Sequence, residues 1–324
     1  MKKITALVLA VMILAGCHGP AKSAPAPEKS EKTVYAMDTV MALTAYGENG
    51  AAGLDRAETE ILRLDDLLSI SKESSDIYRL NRDPSATISA ETSHLLDTAN
   101  GIADLTDGDF DPTVAPLMDL WGFRTRNYHV PSQAELNEAL SKMGNGGIDL
   151  GGIAKGYTSE RVLMKLEDAG VSSAILSLGG NVGTLGLKPD GSRWTVAIQD
   201  PEGDGYIATL ELGEDREKFY AITSGGYQRY FEQDGKTYHH ILDPKTGAPA
   251  ETDLLSVTIV SPDGTAADGF STALFVKGFE EAVEFWRLYH ARFGMVLVTE
   301  DGLFATEGLS VSSERPITTL EVQP

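Results

Sequence analysis

Two glycines separate an apolar segment from a helix-like segment near the middle of the chain. Residues 148–156 read IDLGGIAKG, and Gly151 and Gly152 would let the backbone approach a ligand closely. A helix that begins after them would present free N–H groups to phosphate, and Lys155 would add a positive charge. The segment matches neither a P-loop nor a dinucleotide-binding glycine pattern. Taken alone, it fits a strand-to-helix turn with a solvated lysine better than a phosphate site.

A second segment carries oxygen-bearing side chains one helical turn apart. In residues 267–273, ADGFSTA, Asp268 and Thr272 would share one face of a helix, with Ser271 beside them. A carboxylate and hydroxyls are hard oxygen ligands that suit Mg²⁺, whose other positions can be filled by water and substrate phosphate. The alternative is an aspartate that favours the helix dipole and a threonine that packs, and the segment alone favours that alternative.

Two adjacent histidines lie in residues 238–247, YHHILDPKTG. Histidine is the natural general base near neutral pH. In a strand His239 and His240 would face opposite sides, so only one of them could enter a given pocket. Each is equally compatible with a buried structural histidine. Glycine-rich segments at 177–182, SLGGNV, and 223–227, TSGGY, and the acidic and aromatic stretch 109–123 fit turns, a bulge or core packing as well as a ligand site.

The elements that would position these segments alternate between helices and hairpins. Helical spacing at 51–68, a Ser89 cap for a helix that ends near Leu105, and a capping box at Ser132 predict three helices. Asp234-Gly235 and residues 300–302 predict hairpin turns. Further helices are predicted at 154–169, from about 265 and at 279–292, and strands at 34–46, 148–150, 174–178, 194–199, 207–212, 228–233, 236–242 and 255–260. No βαβ unit repeats, so we predict an α+β fold with mixed or antiparallel sheets flanked by helices.

Composition limits the classes of partner. The 324 residues carry 48 acidic and 27 basic side chains, a formal charge of −21, which argues against non-specific binding of nucleic acid. An anionic ligand would need a local positive device such as a metal ion or a helix N-terminus. The single cysteine, Cys17, excludes an internal disulfide.

The N-terminal residues have the features of an export signal. Lys2 and Lys3 precede an apolar run that is too short to span a membrane, and small residues precede Cys17. We predict a signal peptide at 1–16, a lipidated Cys17 as in a bacterial lipobox, a flexible tether at 17–32 and a single compact folded domain at 33–324. An ordinary signal peptide with an incidental cysteine is the alternative. The expected location is extracytoplasmic, on the bacterial cell membrane through the lipid anchor.

The order of the segments is more informative than any one of them. The chain resembles the ApbE family, the FAD:protein FMN transferases, over nearly all of residues 33–312. The resemblance is carried by residues 36–39, 109–123, 148–157, 177–182, 223–227, 240–247 and 267–278. It implies an ApbE-like fold and an Mg²⁺-dependent enzyme that transfers FMN from FAD to a threonine of an acceptor protein, with release of AMP.

The resemblance also implies roles for individual residues. The side chains of Asp268 and Thr272, with Ser271 nearby, and the main-chain carbonyl of Gly152 would hold Mg²⁺. His240 would be the base. The predicted contacts to FAD are Met37, Asp109, Phe110, Asp111, Asp149, Lys155 and the backbone around Leu242. The chain departs from the family pattern at Asp38, where the family often has glycine, and at Ser71, where it often has a tyrosine against the flavin; Tyr78 is the nearest tyrosine that follows.

The resemblance leaves the acceptor open between a membrane redox subunit and a secreted flavoprotein. Three other functions compete with transfer: an Mg²⁺-dependent FAD pyrophosphatase that uses water in place of threonine, a non-catalytic flavin-binding lipoprotein, and a surface adhesin. The glycine turn, the Asp268 and Thr272 pair and His240 together favour an enzyme over the last two.

Overall fold

A computed structural model describes residues 27–145 and 147–322. The helices are α1 (Gly50–Leu68), α2 (Asp76–Arg82), α3 (Ala90–Leu105), α4 (Ala115–Leu120), α5 (Gln133–Lys142), α6 (Ala154–Asp168), α7 (Gly264–Lys277) and α8 (Phe279–Tyr289), with a short 3-10 helix at Gly226–Gln228. The strands are β1 (Lys29–Ala36), β2 (Thr39–Tyr46), β3 (Ala174–Leu178), β4 (Asn181–Leu185), β5 (Trp194–Gln199), β6 (Tyr206–Leu212), β7 (Lys218–Gly225), β8 (Tyr230–Gln233), β9 (Lys236–His239), β10 (Leu254–Ser261), β11 (Gly294–Thr299), β12 (Gly302–Thr306), β13 (Val311–Ser312) and β14 (Ile317–Leu320).

A nine-stranded sheet organises the described residues, in the order β1-β2-β3-β4-β7-β10-β11-β12-β14. Its pairs are antiparallel except for β12 and β14, which are parallel. Helices α6, α7 and α8 pack on one face, and the sheet β13-β6-β5 covers part of the other. The predicted α+β class with mixed and antiparallel sheets is confirmed.

Each face of the large sheet buries apolar side chains. On the helix side, Ile222 and Ile259 join a core that includes Leu163 of α6 and Leu274 of α7. On the opposite side, Ala221 and Val260 pack with Trp194 and Leu210 of the small sheet. Since neighbouring residues of a strand point to opposite faces, this assignment also fixes which polar residues of β4 and β7 face the helices.

Several connections meet at one end of the large sheet. β3 ends and β4 begins around Gly179-Gly180, where Leu178 pairs with Asn181. Asn181 in turn pairs with Ile222 of β7, and β7 ends at Gly225, opposite Ser256 of β10. The β1–β2 turn lies at the same end, because Met41 pairs with Leu178. Segments far apart in sequence are thereby brought together.

The local start signals of the helices are confirmed. The Ser89 side chain accepts a hydrogen bond from the Thr92 N–H at the start of α3. Ser132 and Glu135 form the predicted capping box of α5. The hairpin at Asp234-Gly235 is present between β8 and β9.

Two strand predictions are wrong. Residues 34–46 are two antiparallel strands, because Met37 and Asp38 both adopt positive φ angles, 49° and 58°, and turn the chain back on itself. Ile148–Leu150 is not a strand. The Asn81 side chain satisfies both backbone groups of Ile148, and the Asp149 N–H donates to the Pro112 carbonyl at 2.8 Å. These hydrogen bonds take the place of a neighbouring strand.

The folded part begins earlier than predicted. β1 starts at Lys29, and Lys32 contacts Asp55 and Glu58 of α1 at 2.5 and 2.6 Å, so the last predicted tether residues are paired in the sheet. The predicted signal peptide and Cys17 lie outside the described residues. Within the described ranges, no helix is both long enough and apolar enough to cross a membrane.

Candidate active site

The glycine bend at 151–152 and the middle of α7 meet in space. A Cβ added to Gly152 would stand 3.3 Å from the Thr272 hydroxyl and 3.1 Å from the Phe110 ring. In the first turn of α6, the Gly156 N–H donates to Oδ2 of Asp268 at 2.8 Å. The two segments that the sequence offered for phosphate and for metal binding are therefore in direct contact.

Gly156 allows α6 and α7 to approach each other this closely. A Cβ at this position would lie 2.2 Å from the Gly264 carbonyl oxygen and 2.7 Å from Cβ of Asp268. Because neither the backbone of α7 nor the buried Asp268 can move away cheaply, only glycine fits here. The close crossing places the Asp268 carboxylate beside the first turn of α6.

A cluster of hydroxyls lies beside Asp268. The Ser271 hydroxyl donates to the Asp268 carbonyl at 2.9 Å and lies 2.8 Å from the Ser224 hydroxyl, which is also 3.5 Å from Oγ1 of Thr272. Ser271 is fully buried, and Asp268 and Ser224 are buried beside it. Ser224 was not singled out from the sequence, although it lies in the TSGGY segment. Strand alternation groups it with Ile222, but only the packing shows that this side faces α7.

The available donors are oxygens of the kind that Mg²⁺ prefers. They are the Asp268 carboxylate, the Thr272 hydroxyl and the Gly152 carbonyl, and no described residue donates a hydrogen bond to Oδ1 of Asp268. The described ranges hold no group of three or more His, Cys, Asp or Glu that would suit a transition metal. A site with one carboxylate fits Mg²⁺ if water and phosphate complete it, so the residues present fit the predicted ion.

The N-terminus of α6 is only partly satisfied by the protein. Its N-cap residue, Ile153, offers no side-chain cap, while Asp268 accepts from the Gly156 N–H and the Leu150 carbonyl accepts from the Ala154 N–H at 2.8 Å. The Asp149 carboxylate accepts from the Gly151 N–H at 2.8 Å, which fixes the bend just before the helix. Among the described residues, the backbone N–H groups of Gly152 and Lys155 have no acceptor, and the Lys155 ammonium donates to Oδ1 of Asn181 at 3.2 Å. These two donors, the lysine and the helix dipole make this terminus suitable for an anion.

His239 and His240 contact different parts of the molecule, and β9 ends at His239, so His240 lies just beyond the strand. His239 lies edge-on to Phe275 of α7, with ring centroids 5.5 Å apart, and is 3.1 Å from the Ala250 carbonyl through Nε2. His240 lies near Phe123, and its Nδ1 is 3.1 Å from the Arg229 carbonyl.

The tautomer of His240 follows from this contact. Since a carbonyl only accepts hydrogen bonds, Nδ1 carries the proton and Nε2 keeps its lone pair. Burial, with the nearby positive charges of Arg229 and Lys155, lowers the pKa of His240 to about 3. The ring is therefore neutral at neutral pH and has one nitrogen available to take a proton.

An aromatic cluster supports the loop that follows His240. The Trp121 indole donates to the Gly247 carbonyl at 2.7 Å, and its ring lies 5.5 Å from that of Tyr238. Leu242 is buried and pairs with Pro249 across the loop. The cluster thus gives a structural role to the aromatic part of residues 109–123, and the predicted contact of FAD with the backbone around Leu242 stays a prediction.

Three of the residues predicted to contact FAD are in contact with other groups of the protein. Asp109 is buried between Lys245 and Lys277, whose ammonium groups lie 2.8 and 2.6 Å from its two oxygens. Phe110 packs on Gly152, and Asp111 accepts hydrogen bonds from the backbone and hydroxyl of Thr113. These contacts stabilise the wall of the site, and whether the same residues also touch FAD stays a prediction. Lys277 was not singled out from the sequence.

Met37 lies at the site end of the sheet. Its backbone N–H donates to Asp65 at 2.9 Å, and its sulfur accepts from the Thr158 hydroxyl of α6 at 3.6 Å. At the position of the family tyrosine, the Ser71 hydroxyl instead pairs with that of Ser69 at 3.2 Å. Tyr78 is covered by the Arg82 guanidinium, 4.3 Å from its ring centroid.

A separate groove of about 390 Å³ lies where β10 begins and the β11–β12 turn projects. It is lined by Thr252, Asp253, Leu255, Phe279, Thr299, Glu300, Asp301 and Phe304. No residue of the candidate site is among these, and no lysine or arginine is among the lining residues. The contacts between α6 and α7 are therefore the better basis for a site.

Comparison with known proteins agrees with this geometry. The family model described as the ApbE family matches residues 37–296. An FAD:protein FMN transferase of Vibrio cholerae is 32% identical, over 93% of this chain and 96% of that protein. The crystal structure of the ApbE protein from Thermotoga maritima is 32% identical with a TM-score of 0.79, covering 88% of this chain and 97% of that one. The flavin transferase ApbE from Vibrio cholerae is 26% identical with a TM-score of 0.75, covering 89% and 98%.

A match of this length, in both sequence and structure, includes the fold and the site segments in their order along the chain. The chain belongs to the ApbE family.

Proposed function

We propose that this protein is an FAD:protein FMN transferase that moves FMN from FAD to a threonine hydroxyl of an acceptor protein and releases AMP. The observation that carries the proposal is the contact of the Gly152 bend with Asp268 and Thr272. It joins an oxygen-ligand set to a helix N-terminus that keeps a lysine and unpaired N–H groups, a combination that suits a dinucleotide diphosphate. Relatives named FAD:protein FMN transferase support the transfer of FMN to a protein.

The chain's own residues would hold the substrate and the ion. Asp268, Thr272 and the Gly152 carbonyl would hold Mg²⁺, and Lys155 with the first turn of α6 would hold the diphosphate. When bound, Mg²⁺ neutralises charge on the diphosphate and on the departing AMP. The acidic surface makes such local positive charge necessary, because the net charge of −21 repels an anionic substrate.

His240 would act on the nucleophile. A threonine hydroxyl is a weak nucleophile until a base removes its proton. The hydroxyl oxygen forms a bond to the phosphorus of the FMN half, the bond from that phosphorus to the bridging oxygen breaks, and AMP leaves with that oxygen. Nε2 of His240 takes the hydroxyl proton, while the Arg229 carbonyl holds Nδ1–H and keeps the ring oriented.

The proposed setting is extracytoplasmic. Cys17 would carry a lipid that anchors the enzyme to the bacterial cell membrane, with residues 18–28 as the tether to β1. The acceptor would be a flavoprotein exposed on the same side, either a membrane redox subunit or a secreted protein.

Incubation with FAD, Mg²⁺ and a candidate acceptor tests the activity. Mass spectrometry should find the mass of FMN on an acceptor threonine, and chelation of the metal with EDTA should abolish the product. AMP should appear in equal amount to the modified acceptor. Free FMN with AMP and no modified acceptor would instead identify an FAD pyrophosphatase, and no consumption of FAD with any acceptor would contradict both enzymatic functions.

A further inference from the structure

Asn181 carries a buried polar group that has no partner among the described residues. It is the first residue of β4, is 1% exposed, and pairs with Ile222 on the helix side of the large sheet. Its Oδ1 accepts a hydrogen bond from the Lys155 ammonium at 3.2 Å. Its Nδ2 is buried and has no acceptor among the described residues.

The orientation of this amide follows from its partner. An ammonium group only donates, so Oδ1 must face Lys155 and Nδ2 must face away from it. An unsatisfied buried donor costs roughly 1–3 kcal/mol, and the great majority of such groups in folded proteins are paired. A buried Nδ2 donor that is fixed in place without a protein acceptor is expected where a bound ligand supplies the acceptor.

The neighbouring residues hold Asn181 in place. Gly179 and Gly180 have φ angles of 60° and 102°, and a Cβ on Gly179 would stand 2.3 Å from the Thr39 hydroxyl. The turn before Asn181 is therefore packed against β2 and has little room to move. Thr184, the other buried polar residue of β4, is paired through its hydroxyl to the Phe219 carbonyl, so within this strand the unpaired donor is at position 181.

We infer that Asn181 is a positioning residue with two functions in the proposed site. Its Oδ1 holds the Lys155 ammonium beside the start of α6, and its Nδ2 donates to an anionic oxygen of the bound diphosphate. The inference rests on the proposed function. The diphosphate is favoured over a carbonyl of the flavin ring because Lys155, which Asn181 contacts, and the helix terminus that carries Lys155 both attract negative charge.

Two variants test the function of the Asn181 amide. Asn181→Asp keeps an oxygen for Lys155 and replaces the donor by an acceptor, while Asn181→Leu removes both groups at similar volume. Thr184→Val, on the same strand, controls for general damage to β4. Thermal unfolding would show that each variant is folded, and calorimetry would measure the binding of FAD, ADP and riboflavin in the presence of Mg²⁺ without an acceptor protein.

We expect both Asn181 variants to weaken FAD and ADP binding by about 10- to 100-fold, as for a lost hydrogen bond to a charged group. The affinity of both Asn181 variants for riboflavin should stay within about twofold of the wild type, because riboflavin has no diphosphate. The affinity of Thr184→Val for FAD and ADP should also stay within about twofold, because this change does not involve the diphosphate. Unchanged FAD binding in the folded Asn181→Asp variant, or a loss confined to riboflavin, would overturn the inference. Failure of the wild type to bind FAD would contradict the proposed function instead.

Discussion

The N-termini of α6 and α7 lie side by side and are completed in opposite ways. At α7, Asp263 accepts from the Ala266 N–H at 2.8 Å, and Glu160 accepts from the Gly264 N–H at 2.6 Å and from the Thr265 hydroxyl at 2.6 Å. At α6, Asp268 accepts from the Gly156 N–H, but the N–H groups of Gly152 and Lys155 have no acceptor among the described residues.

Each helix supplies one carboxylate to the other. Glu160 of α6 accepts from the Gly264 N–H at the positive end of α7, whereas Asp268 of α7 accepts only from the Gly156 N–H, in the first turn of α6. The first N–H groups of α7 are thereby satisfied by carboxylates of the protein. The α6 terminus keeps Lys155 and the unpaired N–H groups of Gly152 and Lys155, and this difference explains why the start of α6 is better suited than that of α7 to bind a diphosphate.

The comparison predicts that equivalent changes at the two termini have very different effects on activity. Asp268→Asn preserves an oxygen for the Gly156 N–H but removes the charge that would hold Mg²⁺. We expect it to reduce Mg²⁺-dependent FMN transfer at least about 100-fold, because electrostatic stabilisation of this kind is a large part of phosphoryl transfer. Initial rates at saturating FAD and a series of Mg²⁺ concentrations would measure the loss.

Glu160→Gln is the matched control, since it makes the same carboxylate-to-amide change at the closed terminus. Its transfer rate should remain within about twofold of the wild type. Full activity in Asp268→Asn would end the assignment of the metal site. Equal losses in the two variants would show that the two termini do not differ in function.

A second prediction concerns the residue that acts on the acceptor rather than on the diphosphate. His240→Ala should leave FAD affinity unchanged and slow transfer by about 10²- to 10⁴-fold, the usual contribution of a positioned base. FAD titration and single-turnover transfer would separate binding from chemistry. Weakened FAD binding with an unchanged turnover would assign His240 to the substrate pocket instead.

The pH dependence of this step follows from the burial of His240. Because its pKa is lowered to about 3, the ring is already neutral well below its ordinary titration range. The wild-type rate should therefore show no fall near pH 6.5 as the solution is made acidic, and any loss due to His240 should begin nearer its lowered pKa. A wild-type rate that halves near pH 6.5, together with a His240→Ala rate that does not change with pH, would contradict this.

The sequence predicted best those features that depend on neighbouring residues. Ser89 and Ser132 start helices because each bonds a backbone group three residues ahead. Ile148 was misassigned because its backbone is satisfied by Asn81, a residue 67 positions away, which no local pattern reveals. The Met37-Asp38 turn is not evident from the sequence because methionine rarely adopts a positive φ, although aspartate does so more often than most residues.

The same division applies to the candidate site. The order of the motifs led to Gly152, Asp268 and Thr272, which the fold brings together. Ser224 and Asn181 were not singled out, because their importance comes from the side of the sheet that they face and from partners on other elements. Strand alternation predicts which residues share a side, but only tertiary packing decides which side is covered by α6 and α7.

The smallest expected effect concerns the stability of the closed terminus. Burial and the nearby Asp263 carboxylate raise the pKa of Glu160 above its ordinary value near 4.5, even though its hydrogen bonds to α7 oppose the change. The unfolded chain therefore releases this proton at lower pH than the folded chain. As the pH rises through the folded pKa, the wild type loses free energy of unfolding, by about 1.4 kcal/mol for each pH unit between the two pKa values.

The side chain of the Glu160→Gln variant cannot release a proton, so the variant should not show this loss of free energy of unfolding. We expect the variant to gain stability relative to the wild type as the pH is raised from about 4 toward 8, in urea unfolding followed at each pH. Glu167→Gln, on the same helix but exposed and paired with Lys218, should show a much smaller change. If the wild type instead gained free energy of unfolding relative to Glu160→Gln as the pH rises, the ionised carboxylate would be the favoured cap of α7. The two termini would then differ in geometry but not in how they tolerate charge.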